Sequence, residues 1–264
     1  MTLGQIERVA EDVLTGYDCG APPIDVFGIA REEGIELGPG NYGDDFSGRI
    51  EYHRDVGKFF LFHPDPETAR HPARMRFSVG HELGHYFLDH HRELLIQGAA
   101  HNSTSDFICE DNLEHEADEF AAALLVPGFV MKRRLAKRSF MTLSEVLRMA
   151  DDCRSSATST AIRYAKFTRE ACVVVISEGG RVVFWVPSEE AGAIGLRFLS
   201  RNRVVPSGAP TAMASGEEGG VREGVIGSVH WFPDRSRELD LWEEACALGS
   251  TGRVLTLLAL NNTC

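Results

Sequence analysis

His81-Glu82-Leu83-Gly84-His85 constrains this chain more than any other stretch. Successive residues of an α-helix turn by ~100°, so two positions four apart project from one face, one turn apart. On a helix, His81 and His85 can therefore grip a single ion, with Glu82 beside the coordination position that a water would take. Two neutral imidazoles holding an ion and a carboxylate taking a proton from water form the pattern of single-metal hydrolysis. The flanks favour a helix: Pro72 suits a first turn, and Phe77, Leu83, Tyr86, Phe87 and Leu88 supply apolar surface. Such a short pattern also arises by chance. The competing interpretation is two surface histidines and a solvated glutamate on an amphipathic helix, so the pattern needs a third ligand.

The chain offers that ligand in two places. Residues 112–127 read as a helix, with Asn112 as N-cap, alanine and leucine in its body and Pro127 as its stop. Glu114, Ala117, Asp118, Ala121 and Leu125 share one face, and the small alanines allow close packing on the first helix. Glu114 would complete the metal site, and Asp118, one turn on, would orient a ligand histidine through its free N–H. Glu116 is a rival ligand, but the four-residue offset to Asp118 favours Glu114. A carboxylate at position 114 is also explained simply by the helix macrodipole. The second place is His91, six residues after His85, the spacing of the metzincins. Their pattern needs a glycine three residues earlier to turn the chain. Leu88 stands there and is expected to continue the helix, leaving His90 and His91 at its exposed end.

With both segments in view, the chain resembles the ImmA/IrrE family of metallopeptidases. The resemblance is carried by Pro22–Ala30, Gly34-Ile35, Gly48-Arg49-Ile50, Arg74–Phe77, His81–His85 and the Glu114–Pro127 helix. It is strong over about the first 130 residues, weaker to about 170 and thin beyond. It implies a zincin-like fold, His81, His85 and Glu114 as zinc ligands, and Glu82 as the base. It also implies a cytoplasmic protease that cuts a helix-turn-helix repressor and so switches genes on, as in stress or mobile-element responses. Three positions depart from the family pattern: Asp118 replaces an asparagine, Val126 a methionine and Asp89 a frequent histidine. Aspartate accepts a hydrogen bond as asparagine does, so the metal site survives these changes.

Composition bounds the remainder. A chain of 264 residues holds one large or two modest domains with a real core. No apolar run is long enough to span a membrane, and the acidic, amphipathic N-terminus is not a signal peptide. The six cysteines (19, 109, 153, 172, 246 and 264) form no close pair and read as reduced thiols of a cytoplasmic protein. The net charge of −12 argues against broad nucleic-acid affinity. Residues 131–169 nevertheless carry ten Lys/Arg and three Asp/Glu, a local +7 that leaves −19 elsewhere.

We expect an α+β protein in three parts. Residues 1–130 would form the zincin-like metallopeptidase domain, with helices at 4–15 and Val26–Glu33 and strands at Ser47–His53 and Lys58–His63 ahead of the metal helix. One of these strands offers an edge for an extended substrate, although a hairpin that merely covers the helix accounts for them equally well. Polar residues 102–106 would form a loop over the cleft. Residues 131–170 form a basic helical segment with a helix-turn-helix-like outline, compatible with DNA contact but equally with a solvated face. Residues 171–264 form a β-rich α+β domain, with strands at Cys172–Ile176, Arg181–Val186, Val225–Phe232 and Arg253–Leu260, a loop at Val204–Gly220 and a helix at Leu241–Leu248. A sensory role there follows from the family resemblance alone.

The expected chemistry is peptide hydrolysis with zinc, although manganese or iron suits a two-histidine, one-carboxylate site as well. A donor besides the metal is wanted for the oxyanion, and His101, His115, Arg163 and Tyr164 are candidates. Two other classes compete: a DNA-binding or sensory regulator that keeps the zincin fold without proteolysis, and an interaction partner in a toxin–antitoxin-like pair. The presence of Glu82 beside the ligand set favours the protease, and the expected partner is a protein substrate, with DNA not favoured and no membrane.

Overall fold

The computed structural model describes residues 1–42, 47–65, 71–98, 112–137, 140–214, 220–233 and 238–261. The chain divides into two compact units, Met1–Val130 with Asp152–Ser156, and Met131–Asp151 with Ala157–Cys264.

The first unit opens with α1 (Leu3–Gly16), which buries Ile6, Ala10, Val13 and Leu14 at helical spacing. Its first turn is closed by Thr2 N–H donating to Gln5 Oε1 at 2.8 Å. In α2 (Val26–Glu32), Asp25 caps the N-terminus by accepting from Gly28 N–H at 2.9 Å. Three strands follow: β1 (Glu36–Gly40), β2 (Arg49–His53) and β3 (Lys58–Pro64). Their sheet runs β1-β3-β2, with β1 parallel and β2 antiparallel to β3, so β2 is an edge strand.

The metal-motif helix is α3 (Pro72–Phe87), with Pro72 in its first turn and every residue from Ser78 to Tyr86 buried. Contrary to the expectation, Leu88 does not continue it. Its backbone is extended at φ −82°, ψ 107°, and a new helix, α4 (Asp89–Gln97), starts immediately after. α5 (Asn112–Leu125) buries Ala117, Phe120, Ala121, Ala123 and Leu124, and packs on both α3 and α1. The approach to α3 is close: a Cβ added at Gly84 would lie 3.0 Å from Ala117 Cα, and one at Gly80 would lie 3.4 Å from Ala121 Cβ. α6 (Gly128–Leu135) spans the division between the units.

The second unit contains α7 (Leu143–Cys153, its last two residues counted with the first unit) and α8 (Ala157–Phe167). A reciprocal cap starts α7: Thr142 N–H donates to Glu145 Oε2 at 3.0 Å, and Glu145 N–H donates to Thr142 Oγ1 at 3.3 Å. The remaining elements are β4 (Cys172–Glu178), β5 (Arg181–Pro187), α9 (Glu189–Ala193), α10 (Pro210–Ala214), β6 (Arg222–Gly227), α11 (Ser228–Trp231), β7 (Asp240–Ala247) and β8 (Arg253–Leu260). The five strands make one antiparallel sheet in the order β5-β4-β8-β7-β6. Val173, Val175, Trp231, Leu241 and Leu258 anchor its core.

Three expectations for this unit are corrected. The segment expected as a helix at Leu241–Leu248 is strand β7, clamped between β6 and β8. Its fully buried Glu243 accepts from Thr211 N–H at 2.8 Å, Thr211 Oγ1–H at 2.6 Å and Trp231 Nε1–H at 2.8 Å. The expected loop at Val204–Gly220 contains α10, and the expected strand Val225–Phe232 ends at Gly227, where α11 begins. Cys19, Cys153, Cys172 and Cys246 carry free thiols. Among the described residues, no helix is long and apolar enough to cross a membrane.

Candidate metal centre

The packing of α3 on α5 draws together side chains that are remote in sequence. His81 Nε2 lies 3.2 Å from Glu114 Oε2, and His85 Nε2 lies 3.5 Å from Glu114 Oε1. The two Nε2 atoms are 3.1 Å apart, and one donor atom from each of the three residues falls within 4.8 Å of the others. The side chains of His81, His85 and Glu114 are 8 %, 3 % and 12 % exposed, so the cluster is nearly dry. Asp118 stands one turn along α5 from Glu114, and its Oδ1 is 2.8 Å from His81 Nδ1. A carboxylate only accepts, so a proton sits on His81 Nδ1, and with an ion bound in place of a second proton the Nε2 lone pair would face Glu114 and His85.

Glu82 is fully buried, and its Oε2 accepts from the backbone N–H of Ile50 at 2.9 Å. Ile50 belongs to edge strand β2, so this strand runs beside the cluster. Gly48 makes the approach possible: a Cβ there would lie 3.3 Å from Glu82 Oε1. The Gly48 and Ile50 backbone contacts with Glu82 are not apparent from side-chain chemistry alone. Their sequence signal is the glycine just ahead of a strand, which marks close approach by another group.

The other candidates fall elsewhere. His91 is not the exposed end of a helix: it is 2 % exposed, and its Nδ1 meets His85 Nδ1 at 2.9 Å. It therefore sits behind His85, on the far side of the ring from Glu114. Glu116 is likewise no neighbour of the cluster's centre, but contacts His90 Nε2 at 2.6 Å and His91 Nε2 at 3.1 Å. His115 is exposed and lies 3.9 Å from Glu119. Tyr164 OH accepts from Met141 N–H at 3.2 Å, and the buried Arg163 guanidinium lies over the Phe167 ring at 4.6 Å. His101 and the expected loop at 102–106 lie outside the described residues.

The cluster's chemistry fits a cation. Burial alone would lower the pKa of His81, but hydrogen bonds to Asp118 and Glu114 and the charge of Glu82 outweigh it and raise it to about 10. The acidic groups around His81 thus favour positive charge at this position, carried by the imidazolium itself when no ion is bound. Two imidazole nitrogens and a carboxylate form a donor set compatible with a divalent metal ion.

Comparison with known proteins bears on the family and the fold. Residues 67–164 match the family model described as IrrE N-terminal-like domain, a peptidase family. Among solved structures, a Mycobacterium tuberculosis transcriptional regulator is similar at 13% identity, with a TM-score of 0.65, over 97% of this chain and 76% of that one. At this identity the likeness is one of fold. No curated protein matches.

Proposed function

We propose that this protein is a metal-dependent endopeptidase, a reading supported by the match of residues 67–164 to the IrrE N-terminal-like peptidase family model. His81, His85 and Glu114 hold the ion, and Glu82 handles the proton. The observation that carries this reading is the convergence of three buried donor atoms from two helices within 4.8 Å, with a buried carboxylate next in sequence to the first ligand. When bound, a divalent metal polarises a carbonyl and lowers the pKa of water. Asp118 fixes the His81 ring through Nδ1. Glu82 takes the proton of the attacking water and delivers it to the leaving amine, with Ile50 N–H steadying one of its oxygens. Zinc is our first choice, and manganese and iron share the donor preference.

A polypeptide substrate suits the outer side of β2, an edge strand beside Glu82, where an extended chain would pair by β-augmentation. The family resemblance points to a helix-turn-helix repressor as that polypeptide and to a cytoplasmic setting, with relief of repression as the outcome. Free thiols in both units suit a reducing compartment.

The test pairs metal analysis of purified protein with a cleavage assay on a helix-turn-helix repressor encoded nearby. Wild type is expected to carry about one ion per chain and to cut. Glu82→Gln is expected to keep the ion and to lose at least about a hundredfold in rate. Bound metal with no cleavage, and no difference between wild type and Glu82→Gln, would move the reading to a regulator that keeps the fold without proteolysis. A stable stoichiometric complex that is never cut would favour an interaction partner instead.

A further inference from the structure

We propose that His91 and Glu116 are positioning residues that select which nitrogen of His85 faces the metal. The inference rests on the metal-site reading above. Its starting point is Glu116, whose Oε2 is 3.1 Å from His91 Nε2. A carboxylate has no proton to give, so the proton between them sits on His91 Nε2. Neutral His91 then has its lone pair on Nδ1, which faces His85 Nδ1 at 2.9 Å. One proton lies between those two nitrogens, and with the proposed ion taking the Nε2 lone pair of His85 it comes from His85 Nδ1. His85 is thereby fixed with hydrogen on Nδ1 and a lone pair on Nε2, the nitrogen that faces Glu114 and His81.

The two candidate ligand histidines are thus set by different devices. His81 is held by a carboxylate directly, through Asp118, and His85 by a carboxylate at one remove, through His91. Partners of this kind orient a ligand ring and raise its basicity. The break at Leu88 makes the arrangement possible. It restarts the chain as α4 in a new direction and brings His91 behind the ring of a residue six positions earlier. Glu116 Oε2 also meets His90 Nε2 at 2.6 Å.

The same proton count decides against a rival. His90, His91 and Glu116 also cluster closely enough to hold an ion of their own. With His85 donating from Nδ1, however, His91 Nε2 keeps its hydrogen and offers no lone pair. A filled main site therefore leaves this second cluster without its central ligand, and one ion per chain is expected.

The experiment uses the full chain, stripped of metal and titrated with zinc against a competing chelator. Histidine-labelled protein is read in parallel by long-range proton–nitrogen NMR for ring tautomers. Wild type is expected to bind one zinc, with hydrogen on His91 Nε2 and on His85 Nδ1. His91→Phe, which keeps the ring shape but accepts nothing, is expected to bind zinc about 10–100-fold more weakly. Glu116→Gln in the otherwise wild-type chain, whose amide oxygen still accepts from His91 Nε2–H, is expected to keep affinity within about threefold of wild type. His90→Phe, which removes one group from Glu116 but leaves His91 Nε2–H facing the carboxylate, is expected to weaken zinc binding less than His91→Phe does. Zinc affinity of His91→Phe within twofold of wild type overturns the proposal, as does a second zinc per chain or hydrogen on His91 Nδ1. Should His91→Phe fail to fold, the wild-type tautomer decides alone. A wild type that takes up no zinc removes the metal-site reading and this role with it, whereas a zinc-binding wild type with an indifferent His91→Phe removes only this role.

Discussion

At the scale of single residues, the proposed metal site divides into groups that would face the ion and groups that would aim them, and Asp118 separates the two most cleanly. Its carboxylate meets His81 Nδ1 at 2.8 Å while remaining 30 % exposed. What His81 needs from that position is an acceptor, and charge is secondary. Asp118→Asn should therefore hold zinc affinity within about threefold of wild type, while Asp118→Ala should lose about 10–100-fold. Zinc titration against a chelator reads both, and equal losses in the two variants would show that charge, and not ring orientation, is what Asp118 supplies. The pairing of positions 114 and 118 was legible in the sequence because four residues make one helical turn. The place of His91 was not legible, because an unbroken helix through Leu88 would put a six-residue offset on another face. The break brings His91 behind His85, and no local rule announces that a leucine between Phe87 and Asp89 will be extended.

Among the elements, the contact of α3 with α5 is the one the site depends on, and its closeness is written in small residues. Gly84 meets Ala117 where a Cβ would stand 3.0 Å from backbone, which cannot yield as a flexible side-chain end would. Gly84→Val should force the helices apart. We expect a loss of about 1–3 kcal/mol from overpacking, seen as a lower thermal midpoint, together with weaker zinc binding because Glu114 withdraws from the histidines. Unchanged zinc affinity in a destabilised Gly84→Val would show that the ligand geometry does not depend on this contact. Helices with a clear period and a stop, such as α1 and α5, were readable in the sequence, as were the hairpin strands β4 and β5 around Gly179-Gly180. β7 was not. Asp240–Ala247 is rich in glutamate, leucine and alanine, which favour helices. The sheet overrides that preference by giving β7 two partner strands and by supplying Glu243 with three donors, including Trp231 and Thr211. Those donors lie too far along the chain for any local pattern to reveal them.

Over the whole molecule, charge weighs on the choice between the proposed protease and a DNA-binding regulator. The chain carries −12 overall, so its long-range field repels the phosphate backbone. The basic segment would have to overcome that field locally, and its cations are arranged for other purposes. Lys132, Arg133 and Arg134 occupy the last turn of α6, where the helix dipole favours positive charge whatever the partner. Arg163 is buried over the Phe167 ring and cannot reach a phosphate. Exposed Lys137, Arg148 and Lys166 are spread over the turn after α6 and two further helices, α7 and α8. A short DNA duplex should therefore bind no more tightly than about 10 μM at physiological salt. Fluorescence anisotropy across a salt series measures this. Tight binding that falls steeply with salt, and weakens when Lys132, Arg133 and Arg134 are replaced by glutamine, would show that the segment engages phosphates and would favour the regulator. A field set against nucleic acid favours our proposal of a polypeptide substrate, and under that proposal edge strand β2 beside Glu82 is where an extended chain would pair.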